Sequence, residues 1–172
     1  GGNSTIYTTG GVINISGGTF TTDCDSKNFI LNVGQTQGAV GTINVTGGTF
    51  IGYDPATGDD ALGGSYVAEG CLSLKISENP ETWEVISGKV TDAKQDFSDL
   101  GKCIIVQTGG TIDGNGGTIV LENDNGGNDC VIYTTGGTIR NLTCGAPTNT
   151  IIVGDMTEDV IIDGCYLSAS NM

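Results

Sequence analysis

Histidine is absent from these 172 residues, and arginine occurs once, at Arg140. Without an imidazole there is no histidine-based acid–base pair or catalytic triad, and no mixed Cys/His zinc site. Lysine and arginine together number only six against 20 acidic residues, for a net charge of −14. Phosphate recognition needs a basic patch that this chain cannot assemble, so nucleic acid is not an expected partner, and an anionic membrane surface is disfavoured on the same ground. No apolar run approaches the roughly 18 residues of a membrane span. Leucine is sparse, charge density is low and aromatics make up 6% of the chain, which argues against helical bundles and leaves little for stacking against sugars. There is no initiator methionine and no signal peptide. The chain opens mid-phrase on Gly1-Gly2-Asn3, and reads as a fragment of a longer protein.

What is present is glycine, 30 residues of it, and repetition. Residues 13–20, Ile-Asn-Ile-Ser-Gly-Gly-Thr-Phe, return at 43–50 as Ile-Asn-Val-Thr-Gly-Gly-Thr-Phe. Gly1-Gly2-Asn3 with Ile6-Tyr7-Thr8-Thr9-Gly10-Gly11 returns as Gly126-Gly127-Asn128 with Ile132-Tyr133-Thr134-Thr135-Gly136-Gly137. Within the phrases apolar and polar residues alternate with the period of two of a strand, and the Gly-Gly pair permits a sharp corner. Short β-phrases recurring every 20 to 30 residues are the mark of a solenoid. The expected fold is all-β, a parallel β-helix whose turns stack at about 4.8 Å with like side chains in ladders; an antiparallel hairpin stack is the alternative. Ile13, Ile15, Ile43 and Val45 should form one such ladder.

Residues 1–87 read as coils closing in a loop and strand module: a turn-rich stretch at 51–60, an extended piece at 65–72, a turn at Glu78-Asn79-Pro80, and a strand at 82–86. Residues 88–101 read as a linker holding a short helix, with Thr91 as its cap and Ala93, Phe97 and Leu100 as an apolar stripe. Residues 102–172 resume the coils. Cys103 to Ile112 aligns with Cys130 to Ile139 at a period of 27, and 139–144 aligns with 160–165 at a period of 21. On these periods Cys103 and Cys130 are equivalent, as are Cys144 and Cys165, so each pair should stack. The six cysteines, Cys24 and Cys71 included, show no C-x-x-C spacing. They read as small buried side chains, with disulfides open to an oxidising compartment.

Gly110-Thr111-Ile112-Asp113-Gly114-Asn115-Gly116 and Asp159-Val160-Ile161-Ile162-Asp163-Gly164-Cys165 resemble the pectate-lyase-like superfamily of right-handed parallel β-helices. The stretch 47–55, with Tyr66-Val67-Ala68-Glu69-Gly70-Cys71 and Trp83-Glu84-Val85, resembles a coil-ending module of β-helix proteins on bacterial surfaces and bacteriophage particles. Such a resemblance implies a fold and leaves activity open, because the superfamily hosts lyases, hydrolases and non-catalytic fibres. A polygalacturonase-like site would pair carboxylates; Gly58-Asp59-Asp60 matches one piece of that pattern, but there is no histidine and no Arg-x-Lys triplet. A lyase would need acidic calcium ligands and a base. Arg140 is the one arginine, and no dense carboxylate cluster is read at the matching position of the preceding coil. No catalytic residue is assigned.

Calcium is the one cofactor that the sequence suggests. Residues 122–129, Glu-Asn-Asp-Asn-Gly-Gly-Asn-Asp, gather oxygen donors around a Gly-Gly turn, with Asp124 and Asp129 as candidate ligands; the spacing matches neither an EF-hand nor a nonapeptide calcium repeat, and a hydrated turn is the alternative. No carbohydrate-binding residue is assigned, though Trp83 and the repeat-equivalent Tyr7 and Tyr133 are the aromatics at hand. The Asn-x-Ser/Thr triplets at Asn3, Asn14, Asn44 and Asn141 read as outward asparagines. The expected function is structural or adhesive: a rigid, protease-resistant segment of a virion fibre, capsid decoration or cell-surface protein. Its expected partners are copies of itself, as a trimer for instance, neighbouring structural subunits, or surface glycans. A carbohydrate-active enzyme or binding module is the alternative.

Overall fold

The computed structural model describes residues 4–21, 29–34, 40–57, 64–99, 101–126 and 128–169. The chain divides into two compact units, Gly1–Ile86 and Ser87–Met172, each built from parallel strands that pair one turn to the next. The arrangement is a β-solenoid, with two turns in the first unit and three in the second.

In the first unit β1 (Ser4–Thr8) and β2 (Gly10–Phe20) make one turn, and β3 (Phe29–Val33) and β4 (Val40–Ile51) the next. β1 pairs in parallel with β3, and β2 with β4. The two copies of the eight-residue phrase therefore lie in register, Ile13 on Ile43, Asn14 on Asn44 and Ile15 on Val45, and Thr19 and Phe20 on Thr49 and Phe50 after a bulge at Ser16. Stacking like on like packs Phe20 against Phe50 at 4.9 Å between ring centroids, and Ile15, Ile43, Val45 and Phe50 join Ile30, Leu31 and Val33 in the core. Tyr66 to Ala68 returns as a single parallel bridge on Val45. β5 (Cys71–Glu78) and β6 (Glu81–Ser87) then form a hairpin whose second strand runs antiparallel to the end of β4.

The second unit opens with the short strands β7 (Lys89–Val90) and β8 (Gln95–Ser98). Its first turn is β9 (Gly101–Gln107), β10 (Thr111–Asp113) and β11 (Thr118–Leu121). Its second is β12 (Cys130–Thr134), β13 (Gly137–Arg140) and β14 (Thr143–Gly145), and its third β15 (Asn149–Val153), β16 (Val160–Asp163) and β17 (Tyr166–Ser168). Three sheets result, ordered β8-β9-β12-β15, β10-β13-β16 and β7-β11-β14-β17, and all their turn-to-turn pairs are parallel. Inward columns run Ile105–Ile132–Ile151 and Ile112–Ile139–Ile162. Ile132 and Ile139 are fully buried, each contributing about 1.5–3 kcal/mol relative to an exposed position. Ile162, in the third turn, is 46% exposed.

Two expectations are corrected. Residues 91–99 hold strand β8 and bends, and no helix occurs among the described residues. The offset from Ala93 to Phe97 is even, so extended chain also puts both on one face. A ten-residue helix is marginal alone, whereas β8 pairs antiparallel with the outer edge of β9, seats Phe97 on Tyr133 at 4.6 Å and covers an otherwise open edge. The second correction concerns register between the second and third turns. Ile139 pairs with Ile162 and Cys144 with Leu167, an offset of 23 rather than 21. A two-residue slip leaves every side chain on its own face, so the apolar pattern alone does not separate the two alignments.

One buried polar residue fixes the first-to-second-turn register. Gln107, in register with Thr134, donates from Nε2 to the carbonyls of Gly110 (3.2 Å) and Thr138 (3.1 Å), and its Oε1 lies 3.1 Å from the Thr134 hydroxyl. The Thr134 hydroxyl in turn accepts the Gly136 N–H, and Thr8 accepts that of Gly10 in the same way, so the repeated Thr-Thr-Gly-Gly phrase makes the same local corner twice.

The second glycine of that corner is needed for two different reasons. Gly11 (φ 76°) and Gly137 (φ 100°) both lie in the left-handed region, but a Cβ on Gly11 would enter open space, while one on Gly137 would strike the Gly110 carbonyl of the preceding turn. Gly137→Ala is therefore expected to lose about 3 kcal/mol, and Gly11→Ala only about 1 kcal/mol of backbone strain, as read from denaturant unfolding. Equal losses would show that turn-to-turn stacking does not constrain the corner.

Candidate functional site

The outward face of β10-β13-β16 carries the best-defined polar constellation. Asp113, Arg140 and Asp163 are register partners on three successive turns. Arg140 donates from Nε to Asp113 Oδ2 at 2.7 Å, while Asp113 Oδ1 accepts the Asn115 N–H (3.0 Å) and the Asn141 side-chain amide (3.2 Å). Burial would by itself raise the Asp113 carboxyl; the Asn115 N–H, the Arg140 guanidinium and the Asn141 amide outweigh it and hold the group below its ordinary value. Sequence reading missed this pairing, though the signal was present. The 27-residue period that relates Cys103 to Cys130 also relates Asp113 to Arg140.

Beside this column the β10–β11, β13–β14 and β16–β17 corners line a cavity of about 330 Å³ with Asn115, Asn141, Thr143 and Tyr166 among its walls. Asn115 (φ 48°) and Asn141 (φ 52°) hold left-handed conformations there, which asparagine tolerates better than most residues. The Asn141 amide is engaged with Asp113. Asn14 and Asn44 stack as outward partners, Asn44 donating to Asn14 Oδ1 at 3.2 Å.

The candidate calcium ligands Asp124 and Asp129 accept hydrogen bonds from the protein itself. Asp129 is buried and accepts the Lys102 N–H at 2.8 Å and the Asn125 N–H at 3.4 Å. Asp124 accepts the Asp129 N–H at 3.3 Å and the Thr148 hydroxyl. The Asn125 and Asn123 amides hold the Asp92 carboxyl below its usual range. A cavity of about 840 Å³ lies here, lined by Asp92, Asp96, Asp99, Lys102 and Asp129. Among the described residues no group of three or more Asp, Glu, Cys or His is placed to hold a metal ion. Gly127, Asp59, Asp60, Cys24 and Asn3 lie outside the described residues.

The cysteines part company. Cys103 and Cys130 are register partners, fully buried. Cys144 instead faces Ile119 and Leu167, and burial, with the nearby Cys165 thiol, pushes its pKa up to about 12, so it stays protonated and unreactive. Cys165 turns its thiol to the carbonyls of Asp163 and Ile139. Among the aromatics, Trp83 has the Lys75 ammonium 5.3 Å from its ring centre, and that ammonium also pairs with Glu78 and Glu81, so one ring face is already occupied. Tyr133 stacks on Phe97, and its repeat-equivalent Tyr7 is exposed.

No helix among the described residues is long and apolar enough to cross a membrane. The chain matches no protein-family model, no curated protein and no solved structure. Its fold therefore rests on its own pairing and registers.

The Asp113 environment makes a pH-dependent prediction. A depressed folded-state pKa contributes stability that is full above the ordinary carboxylate value and is lost as pH falls through the lowered one. Wild type should therefore exceed Asp113→Asn in denaturant stability at pH 6, by at most about 1 kcal/mol because the Arg140 side chain is partly exposed. The difference should shrink toward zero as the pH falls below the ordinary aspartate range. A difference that persists undiminished at the lowest pH would mean that Asp113 acts through packing rather than charge.

Proposed function

We propose that this chain is a non-catalytic structural or adhesive segment of a virion or cell-surface protein, wound as a right-handed parallel β-helix of the pectate-lyase-like kind. Right-handedness is the hand that parallel β-crossovers overwhelmingly take. The observation that carries the reading is the turn-to-turn register, with Ile105, Ile112, Ile132, Ile139, Cys103 and Cys130 buried inside and backbone pairing along every described turn of the second unit. Such a stack resists local opening, because each strand is held on its backbone edges and most of its inward side chains are buried. The acidic balance supports an exposed, hydrated surface. The half-exposed inward residues Ile162 and Leu167 of the third turn support self-association, or contact with a neighbouring structural subunit.

A carbohydrate-active role is the second reading, favoured by one observation: a carboxylate and a cation placed outward on adjacent turns at Asp113 and Arg140. A guanidinium fork matches a carboxylate in geometry, so in this pairing Arg140 would hold an acidic sugar.

Location separates the two readings. Mass spectrometry of purified particles and cell-surface fractions is expected to find the chain at fixed stoichiometry within a particle or appendage. Recovery as a free secreted protein that cleaves a uronate polymer, with activity lost in Arg140→Gln, would overturn the structural reading.

A further inference from the structure

Five cysteines are described, all as free thiols, and only one pair of them faces across a turn. Cys103 on β9 and Cys130 on β12 are register partners, and both are fully buried. Neighbouring strands lie about 4.8 Å apart, inside the roughly 4.4–6.8 Å Cα separation that disulfides span. The other thiols are placed differently: Cys144 faces leucine and isoleucine, Cys165 donates to carbonyls 3.4 and 3.5 Å away, and Cys71 lies 3.9 Å from the Thr46 carbonyl.

We infer that Cys103 and Cys130 form a disulfide site that staples the first and second turns of the second unit when the chain folds in an oxidising compartment. The oxidant is a disulfide of the glutathione class. One cysteine thiolate attacks it, forming a mixed disulfide and releasing one glutathione thiolate. The partner thiolate then attacks the protein sulfur of that mixed disulfide and releases the second. Two cysteine thiols thereby lose two protons and two electrons, and the glutathione disulfide is reduced to two thiols. Complete burial means that exchange precedes closure of the turn, and that the finished bond is shielded from reductant afterwards. The inference holds whichever function the chain serves.

The test uses the full chain, refolded in oxidised and reduced glutathione, alkylated, and cleaved at Glu122 and Arg140 without reduction, so that Cys103, Cys130 and Cys144 fall on separate fragments. The expected result is a fragment carrying Cys103 joined to the fragment carrying Cys130, lighter by two hydrogens than the two free-thiol fragments together. The link should persist in Cys144→Ala and be lost in Cys103→Ala. Alkylation of both cysteines in the oxidised, folded chain would overturn the inference, as would a link from either one to Cys24, Cys71, Cys144 or Cys165. Should Cys103→Ala not fold, the fragment map of the unsubstituted chain decides alone.

Discussion

Parallel pairing of each strand with its counterpart one turn later is the interaction on which the rest of this protein depends. Once Cys103 must lie on Cys130 and Thr111 on Thr138, the side chains inside have no choice of neighbour. Isoleucine meets isoleucine, and β-branched side chains of one shape pack well on a pleated surface. The corners are constrained by the same geometry, since the backbone of one turn passes within contact distance of the next. That is why Gly137 has no room for a methyl group while Gly11, in the same place in the phrase, does.

Much of this was legible before any coordinates. The repeated phrase at 13–20 and 43–50 announces both strand and corner, and its two copies stack residue on residue. Two features were not legible, for definable reasons. An even spacing such as Ala93 to Phe97 satisfies a strand as well as a helix, and only the open edge of β9 decides between them. A shift of two residues keeps inward residues inward, so periodicity could not distinguish 21 from 23, and Cys144 lies against Leu167 instead of Cys165. Between the first and second turns a buried polar residue supplies what periodicity lacks. Gln107 would lose its bonds to Gly110, Thr138 and Thr134 in any slipped pairing, and leaving such groups buried without partners costs about 1–3 kcal/mol each.

The outward surface follows a different logic. Its charges are organised by column rather than by strand, and Asp113–Arg140 is a pair only because two positions far apart in sequence become neighbours on adjacent turns. A column of this kind can neutralise itself, as here, or present several like groups in a row to a partner. Asp124 and Asp129 instead turn their carboxylates onto the protein's own N–H groups.

The corners also differ in length while the walls keep their register. Between the second and third walls the first turn runs through residues 114–117, the second through 141–142 and the third through 164–165, yet Thr118, Thr143 and Tyr166 remain aligned. The architecture thus separates scaffold from variable ground: segments can be grafted at a corner and be displayed outward without altering a single interior neighbour. A lineage built on such turns is free to change what it presents while keeping what it is made of.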